Sequence, residues 1–382
     1  MEKETEVVVL GGGIAGVCTA YYLAKAGKEA VLIEKKELGC MASGANAAFI
    51  WPTYRPPGPL LNLAITSLKE YEGLNKVQDI EFERCGGLSL LDKEDQFEEW
   101  EPFVERQNKA GLNLKLINRR ELLELEPNLE QSSFIVGAIF DPEAGHVNSL
   151  RAIYTFGDEA QKLGAKIYEY TKLLAINISK GQVSSLVTDN GVIKTKYIVN
   201  ACGIHAGVIG KMVGIKIPIV PNREQLFVTE EVPLLVKRPM FTVSYRQKVE
   251  KKEGGKEVTF ICNPQAKGNL LIGGLNDYPG EDSRTTFEGF VEVLREVNRF
   301  LPILQAKDVH IIRSFAKFYI RTPDILPILG SVEGLKGFLI AGGLNDYGMG
   351  IGPGVGKVIS ELICFGDSSI SLKEYSLSRF KN

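Results

Sequence analysis

The chain has 382 residues, of which 44% are hydrophobic and 24% charged, and its formal net charge is -2. That length supports a large core and exceeds one typical domain of about 100–200 residues. A balanced charge with no long basic run argues against a nucleic-acid partner.

Six cysteines stand at 18, 40, 85, 202, 262 and 364, with no CxxC and no zinc-like spacing, the pattern of free thiols in a reducing compartment. The acidic start MEKETE runs straight into a strand and leaves no room for a signal peptide. No stretch approaches 18 consecutive apolar residues, so no transmembrane segment is expected. The expected setting is soluble and cytoplasmic.

In chain order, Thr5–Leu10 (TEVVVL) is an apolar, β-branched run that reads as a strand buried on both faces. Glycines follow, then Ile14–Ala26 with apolar and small residues at helical spacing, closed by Gly27. Glu29–Glu34 (EAVLIE) reads as a second buried strand. Helices are predicted over Pro59–Glu72, Lys93–Gly111, Arg119–Glu126, Ser149–Gly164, Phe287–Phe300 and about Pro353–Cys364. Strands are predicted over Leu88–Leu91, Ala165–Tyr170, Tyr197–Ala201, Val309–Tyr319 and Phe338–Ala341. From Ile217 to Gly274 the pattern is mostly extended, and the lysine-rich Lys248–Glu257, around Gly254-Gly255, reads as a solvated hairpin tip. A β–α–β start, an extended middle and a strand–glycine loop–helix end predict interleaved domains, one of them built from non-contiguous pieces. The hexapeptide GGLNDY occurs at Gly273–Tyr278 and again at Gly342–Tyr347 with unlike flanks, which argues against an architectural repeat.

The start of the chain carries the first chemistry. Gly11-x-Gly13-x-x-Gly16 lies directly between a predicted strand and a predicted helix, and Glu34 ends the next strand. In that context Gly11 permits the tight turn, Gly13 lets backbone approach a pyrophosphate and Gly16 lets helix pack on strand. The helix N-terminus faces the negative charge, and Glu34 accepts from ribose hydroxyls and disfavours a 2′-phosphate. The motif alone does not separate NAD from FAD.

Followed by GCMASGANAA at Gly39–Ala48, this unit resembles the FAD site of the D-amino-acid oxidase superfamily, which includes glycine oxidase, sarcosine oxidase and dye-linked proline dehydrogenases. Ser43-Gly44-Ala45-Asn46 matches that family's loop after the second strand. AGHVNSLRAI at Ala144–Ile153, YIVNACGIHAG at Tyr197–Gly207 and FYIRTPDILPILG at Phe318–Gly330 resemble later family segments in the same order. The resemblance implies an α/β fold: a discontinuous, Rossmann-like FAD-binding domain (1–84, 141–217 and 324–382) and a substrate domain (85–140 and 218–323). The substrate domain is expected to have a mixed, largely antiparallel sheet with flanking helices.

It also implies non-covalent FAD, because Lys317 stands where some relatives carry a tethering cysteine and the early loop has Asn46 in place of histidine. The expected FAD contacts are Gly11, Gly13, Ile14, Ala15, Gly16, Glu34, Lys35, Ser43, Asn46, Ala47, Leu173, Ala201 and Gly203. A second group comprises Gly343, Leu344, Tyr347, Gly348, Met349 and Gly350. The second GGLNDY falls at the family's loop on the pyrimidine side of the flavin, where a helix N-terminus stabilises negative charge. The first copy is assigned no chemistry.

Flavin oxidation of an amine needs orientation more than a protein base, typically an arginine that grips a carboxylate. Where glycine-oxidase relatives carry that arginine, this chain has Tyr319, which favours the proline-dehydrogenase type. Arg55 in WPTYRPPG is the expected replacement, with Arg321 and Arg246 as competitors, and Tyr347 completes the candidate catalytic set. Trp51, Tyr54, Phe260 and Tyr319 are candidate cavity residues. His146, His205 and His310 are read as structural. Gly350 replaces a lysine of oxygen-reactive sarcosine relatives, which points to another electron acceptor. The expected reaction is oxidation of a secondary amine or imino acid (proline, hydroxyproline or sarcosine class), with a small amino-acid substrate and an electron-accepting partner subunit in a hetero-oligomer. The alternatives are a 2-hydroxy-acid or glycerol-phosphate dehydrogenase, with His205 as base, and a non-catalytic FAD-binding subunit.

Overall fold

The computed structural model describes residues 3–244, 255–280 and 282–380. Arg246 and most of the expected hairpin tip at Lys248–Glu257 lie outside the described residues. Two eight-stranded sheets organise the molecule. In the first, the strand order is Ile328–Ser331, Phe338–Gly342, Gly191–Asn200, Glu4–Leu10, Ala30–Ile33, Lys166–Tyr168. Glu4–Leu10 pairs in parallel with both Ala30–Ile33 and Gly191–Asn200, so Val7, Val8 and Val9 are wholly buried, as a strand covered on both faces must be.

Gly191–Asn200 is longer than the expected Tyr197–Ala201. Its first half pairs with an unanticipated hairpin, Leu173–Ser179 and Gln182–Thr188, and its last residues with Phe338–Gly342. The polar alternation of VIKTK hid that first half, because one of its faces is solvated. Gly145–His146 forms a two-residue strand paired with Phe49–Ile50.

The second sheet runs Ile311–Arg321, Val220–Glu231, Asn269–Asp277, Glu257–Pro264, Met240–Thr242, Gly87–Leu91, Gly137–Asp141, Lys115–Asn118. Every pairing is antiparallel except Met240–Thr242 beside Gly87–Leu91. Helix Phe287–Phe300, capped by Thr286 Oγ1 accepting from the Gly289 N–H at 3.1 Å, buries Val293, Val297 and Phe300 with this sheet. The strands of the first sheet thus come from residues 4–33, 166–200 and 328–342, and those of the second from 87–141 and 220–321.

The last long helix begins at Gly348, five residues before the expected start, and carries Pro353 inside it. Proline has no N–H to give the carbonyl four residues back, which is that of Met349. The buried Tyr71 hydroxyl donates to that carbonyl at 2.8 Å, and Ser67 Oγ accepts from the Gly354 N–H at 2.9 Å. Both come from helix Pro59–Val77. The same stretch packs closely enough that Cβ atoms at Gly352, Gly354 and Gly356 would lie 2.7 Å from Ile14, 2.6 Å from the Leu63 carbonyl and 2.5 Å from Cys18 backbone.

Replacing Tyr71 with Phe leaves the buried Met349 carbonyl without its donor, for which a loss of about 1–3 kcal/mol of unfolding free energy is expected by denaturant titration. Gly73→Ala, on an exposed position of the same helix with open space around it, should move stability the other way by about 1 kcal/mol.

Candidate active site

Gly11 turns with φ +103°, and a Cβ there would lie 2.6 Å from the Ala201 carbonyl. Gly13 is the N-cap of helix Ile14–Lys25, with no side chain capping it. Ser43 Oγ accepts from the Ile14 N–H at 3.1 Å, so the Ser43–Asn46 loop sits against the helix start. Asn46 closes that loop, donating to the Ala42 and Ser43 carbonyls at 3.1 and 2.7 Å and accepting from the Ala48 N–H at 2.7 Å. Glu34 accepts from the Gly12 and Lys36 N–H groups at 2.7 and 2.9 Å, which fixes its carboxylate at the end of strand Ala30–Ile33.

These elements wall one end of a long cleft of ≈ 390 Å³, within the size range of ligand sites. Of the expected contacts, Gly11, Gly13, Ile14, Ala15, Glu34, Lys35, Ser43, Asn46, Ala47, Leu173, Ala201, Gly203, Leu344, Gly348 and Met349 line it. Gly16, Gly343, Tyr347 and Gly350 stand behind the wall. A Cβ at Gly16 would lie 1.9 Å from the Gly11 carbonyl, so its role is packing. Gly343 (φ +64°) turns the backbone against Thr322 and Ile328. Tyr347 is buried beneath the Arg55 guanidinium, whose carbon lies 4.1 Å from the ring centroid. A Cβ at Gly350 would lie 3.3 Å from Arg55 Nη2.

The far end of the cleft is built differently. Arg55, only 7% exposed, lines it. Its loop is held from two sides: Gln107 Nε2 donates to the carbonyls of Thr53 and Arg55, and Thr53 Oγ1 donates to buried Asp141, whose carboxyl burial pushes up to about 6. Trp51, Tyr54 and Phe241 form an aromatic wall, with ring centroids of Trp51 and Tyr54 4.5 and 5.5 Å from Phe241. Phe260, expected in that wall, instead stacks on Phe300 at 4.8 Å in the core of the second sheet. Tyr319 lines the cleft and hydrogen-bonds Glu224, a lining carboxyl that burial pushes up to about 7.

Glu224, Phe241 and Asp346 escape the sequence reading. Glu224 lies within the buried run Asn222–Phe227, and a glutamate inside such a strand is the kind of anomaly that marks a site. The first GGLNDY copy also proves connected to the cleft: Asn276 is the cross-strand partner of Glu224, and Gly274 leaves room for it. Among the arginine competitors, Arg321 is bound to Asp346, Nη1 to Oδ1 at 3.5 Å.

The histidines are dispersed. His205 lines the cleft with Nε2 2.7 Å from Lys35 Nζ, and burial followed by the Lys35 and Glu34 charges sets its pKa, with a net lowering. It therefore stands at the Glu34 end. His146 is buried, which lowers its pKa, and His310 is exposed and bonded to Glu230 at 2.9 Å. No helix of the described residues is long and apolar enough to cross a membrane, and no metal-binding cluster occurs among them.

Comparison with known proteins gives a consistent picture. The family model described as FAD dependent oxidoreductase (DAO) matches residues 6–362. The chain is 28% identical over 391 residues to the mitochondrial pyruvate dehydrogenase phosphatase regulatory subunit of Mus musculus, covering 100% of this chain and 44% of that protein. It is 27% identical over 397 residues to the mitochondrial dimethylglycine dehydrogenase of Rattus norvegicus, covering 99% and 45%. It thus spans a little under half of these two relatives. The crystal structure of L-proline dehydrogenase from P.horikoshii superposes with a TM-score of 0.92 at 29% identity, covering 100% of this chain and 98% of that one.

Because Gln107 alone joins its helix to two carbonyls of the Arg55 loop, Gln107→Leu should lower the unfolding free energy by about 1–3 kcal/mol, read by denaturant titration. An unchanged midpoint would show that the loop is held without it.

Proposed function

We propose, for a chain that belongs to the DAO family of FAD-dependent oxidoreductases, that it oxidises the carbon beside the nitrogen of a small secondary-amine or imino acid of the proline, hydroxyproline or sarcosine class. FAD is the cofactor, and the Glu34 half of the cleft fits it. A Cβ at Gly13 would lie 3.0 Å from Ser43 Oγ, inside the cradle at an uncapped helix N-terminus where a pyrophosphate is held. Glu34 keeps acceptor capacity for ribose hydroxyls. A second helix N-terminus, at Gly348–Met349, meets the cleft further along. When bound, FAD accepts the hydride from the substrate carbon.

The observation that carries the substrate class is Arg55, a buried guanidinium on the cleft wall, backed by the face of Tyr347. Stacking fixes the plane of its fork, so two parallel hydrogen bonds to a carboxylate are pre-organised. Trp51, Tyr54 and Phe241 give the substrate an apolar surface and shed water from the reacting carbon. The hydroxy-acid alternative required His205 as base, and the His205 ring is engaged with Lys35 beside Glu34.

Lys317 at the position of the tethering cysteine supports non-covalent FAD. Gly350 stands where oxygen-reactive sarcosine relatives carry a lysine, which supports electron transfer to a partner subunit over oxygen. The six free cysteines support a cytoplasmic setting. In this reading the two sheets mark an FAD-binding and a substrate-binding domain, with 1–84, 141–217 and 324–382 in the former.

The test is anaerobic addition of L-proline, hydroxyproline, sarcosine, N,N-dimethylglycine, glycine and 2-hydroxyglutarate to the yellow holoprotein. Bleaching of the flavin band by a cyclic or N-methyl amino acid supports the proposal, and bleaching by the hydroxy acid alone overturns it. Arg55→Lys should raise KM for the bleaching substrate about 100-fold, near 2.7 kcal/mol, since the ammonium cannot reproduce the planar fork. Glu34→Ala should lower the flavin-to-protein absorbance ratio after gel filtration, with Kd for FAD raised at least tenfold.

A further inference from the structure

Glu224 is not needed to hold FAD or the substrate carboxylate, yet it is the most elaborately housed carboxyl of the cleft. It projects from strand Val220–Glu231 at 7% exposure. On one side lies strand Asn269–Asp277, where Asn276 is its register partner. A Cβ at Gly274 would lie 3.1 Å from Glu224 Oε1, so glycine is the residue that leaves the carboxylate its place. On the other side lies strand Ile311–Arg321, with Lys317 as register partner, Tyr319 as hydrogen-bond partner and the charge of Arg321 nearby. Asp346 closes the enclosure from the second hexapeptide, and it is engaged with Arg321. The two GGLNDY copies therefore converge on one side chain: Gly274 and Asn276 from the first, Asp346 from the second.

We propose that Glu224 recognises the ammonium of the substrate and accepts its proton. This rests on the secondary-amine reading above. With Arg55 on the substrate carboxylate and Glu224 on its nitrogen, the two ends of a zwitterion are read by opposite charges in one cleft. The step balances simply. The substrate N–H bond breaks, its proton passes to a Glu224 carboxylate oxygen, and the nitrogen keeps the electron pair. That pair then assists departure of the hydride, which the family's flavin takes up.

Basicity decides whether a carboxylate can do this. An alkyl ammonium of pKa about 10.4 loses its proton to an ordinary carboxylate of about 4.3 only against a gap of about 6 units. Burial raises Glu224 to about 7, which closes the gap to about 3 units. Tyr319, a hydrogen-bond partner on the neighbouring strand, holds the carboxyl in place before the substrate arrives.

The experiment compares Glu224→Gln with the unaltered holoprotein, after matching FAD content and melting temperature. Gln is isosteric with the protonated glutamic acid and keeps an acceptor for Tyr319. Two quantities are read: the limiting rate of anaerobic flavin bleaching by the amine identified above, from pH 6 to 10, and the Kd of tetrahydrofuran-2-carboxylate, a proline analogue with no ammonium, from the shift it causes in the flavin spectrum. The expected result is a bleaching rate reduced at least 100-fold at pH 7 and recovering toward pH 10, with Kd of the oxygen analogue changed less than twofold. An unchanged rate and pH profile overturns the assignment while leaving the amine reading intact. Equal loss of affinity for amine and oxygen analogue also overturns it, since that marks a residue of shape alone. If no amine bleaches the unaltered protein, the substrate class falls, and the assignment of Glu224 falls with it.

Discussion

A proline inside the last helix sets the condition that the rest of the cleft satisfies. Pro353 removes the hydrogen bond that would close the first turns of Gly348–Phe365, and the turns stay helical because Tyr71 and Ser67 serve its backbone from the neighbouring helix. The glycines that alternate through the same stretch bring it within contact of Ile14, Leu63 and Cys18. A helix without side chains at those positions is thereby fixed by its neighbours, and its N-terminus is left open toward the cleft. Tyr347, at that open end, carries Arg55 on its ring. Cofactor side and substrate side are thus adjusted by one helix end.

The electrostatics of the cleft divide along its length. At the Glu34 end, the wall is made of backbone N–H groups and a carboxylate, a polar surface suited to phosphates and hydroxyls. At the Arg55 end, charges are few and buried, and each has a specific reason to be there. Arg55 has an aromatic backing, Asp141 has Thr53, and Arg321 has Asp346. Glu224 has a neutral hydrogen-bond partner in Tyr319, which holds a carboxyl without discharging it. That difference separates groups that maintain the site from the group available to a ligand.

Much of this was legible beforehand, for identifiable reasons. The first β–α–β unit is read from TEVVVL, three glycines and Glu34, because a fully buried strand, a positive-φ turn and a close helix approach each restrict residue type sharply. The same holds for Ser43–Asn46, whose loop is closed by its own side chain. The hairpin Leu173–Thr188 and the first half of Gly191–Asn200 were hidden, since a strand with one solvated face carries half the apolar signal. Phe260 was misplaced because an aromatic residue on a buried strand looks alike whether it faces a cavity or a core. Glu224 was invisible because its burial comes from strands that follow it by about 50 and 90 residues, and no local pattern records that. The doubled hexapeptide was seen, and its meaning depended on a third segment.

The interleaving of the two sheets has a consequence for how the molecule comes into being. Strand Glu4–Leu10 lies beside Gly191–Asn200, which in turn lies beside Phe338–Gly342. The first sheet cannot be completed until Phe338–Gly342 has left the ribosome, whereas every strand of the second is available by Arg321. Pairings separated by some 140–190 positions are slow to form, because loop closure precedes any gain from contact. During synthesis the glycine loop at Gly11–Gly16 is made long before the helix that packs on it, with Ile14 and Cys18 uncovered until Gly348–Phe365 docks. Assembly of that wall of the cleft is therefore coupled to translation of the stretch from Phe338 to Phe365.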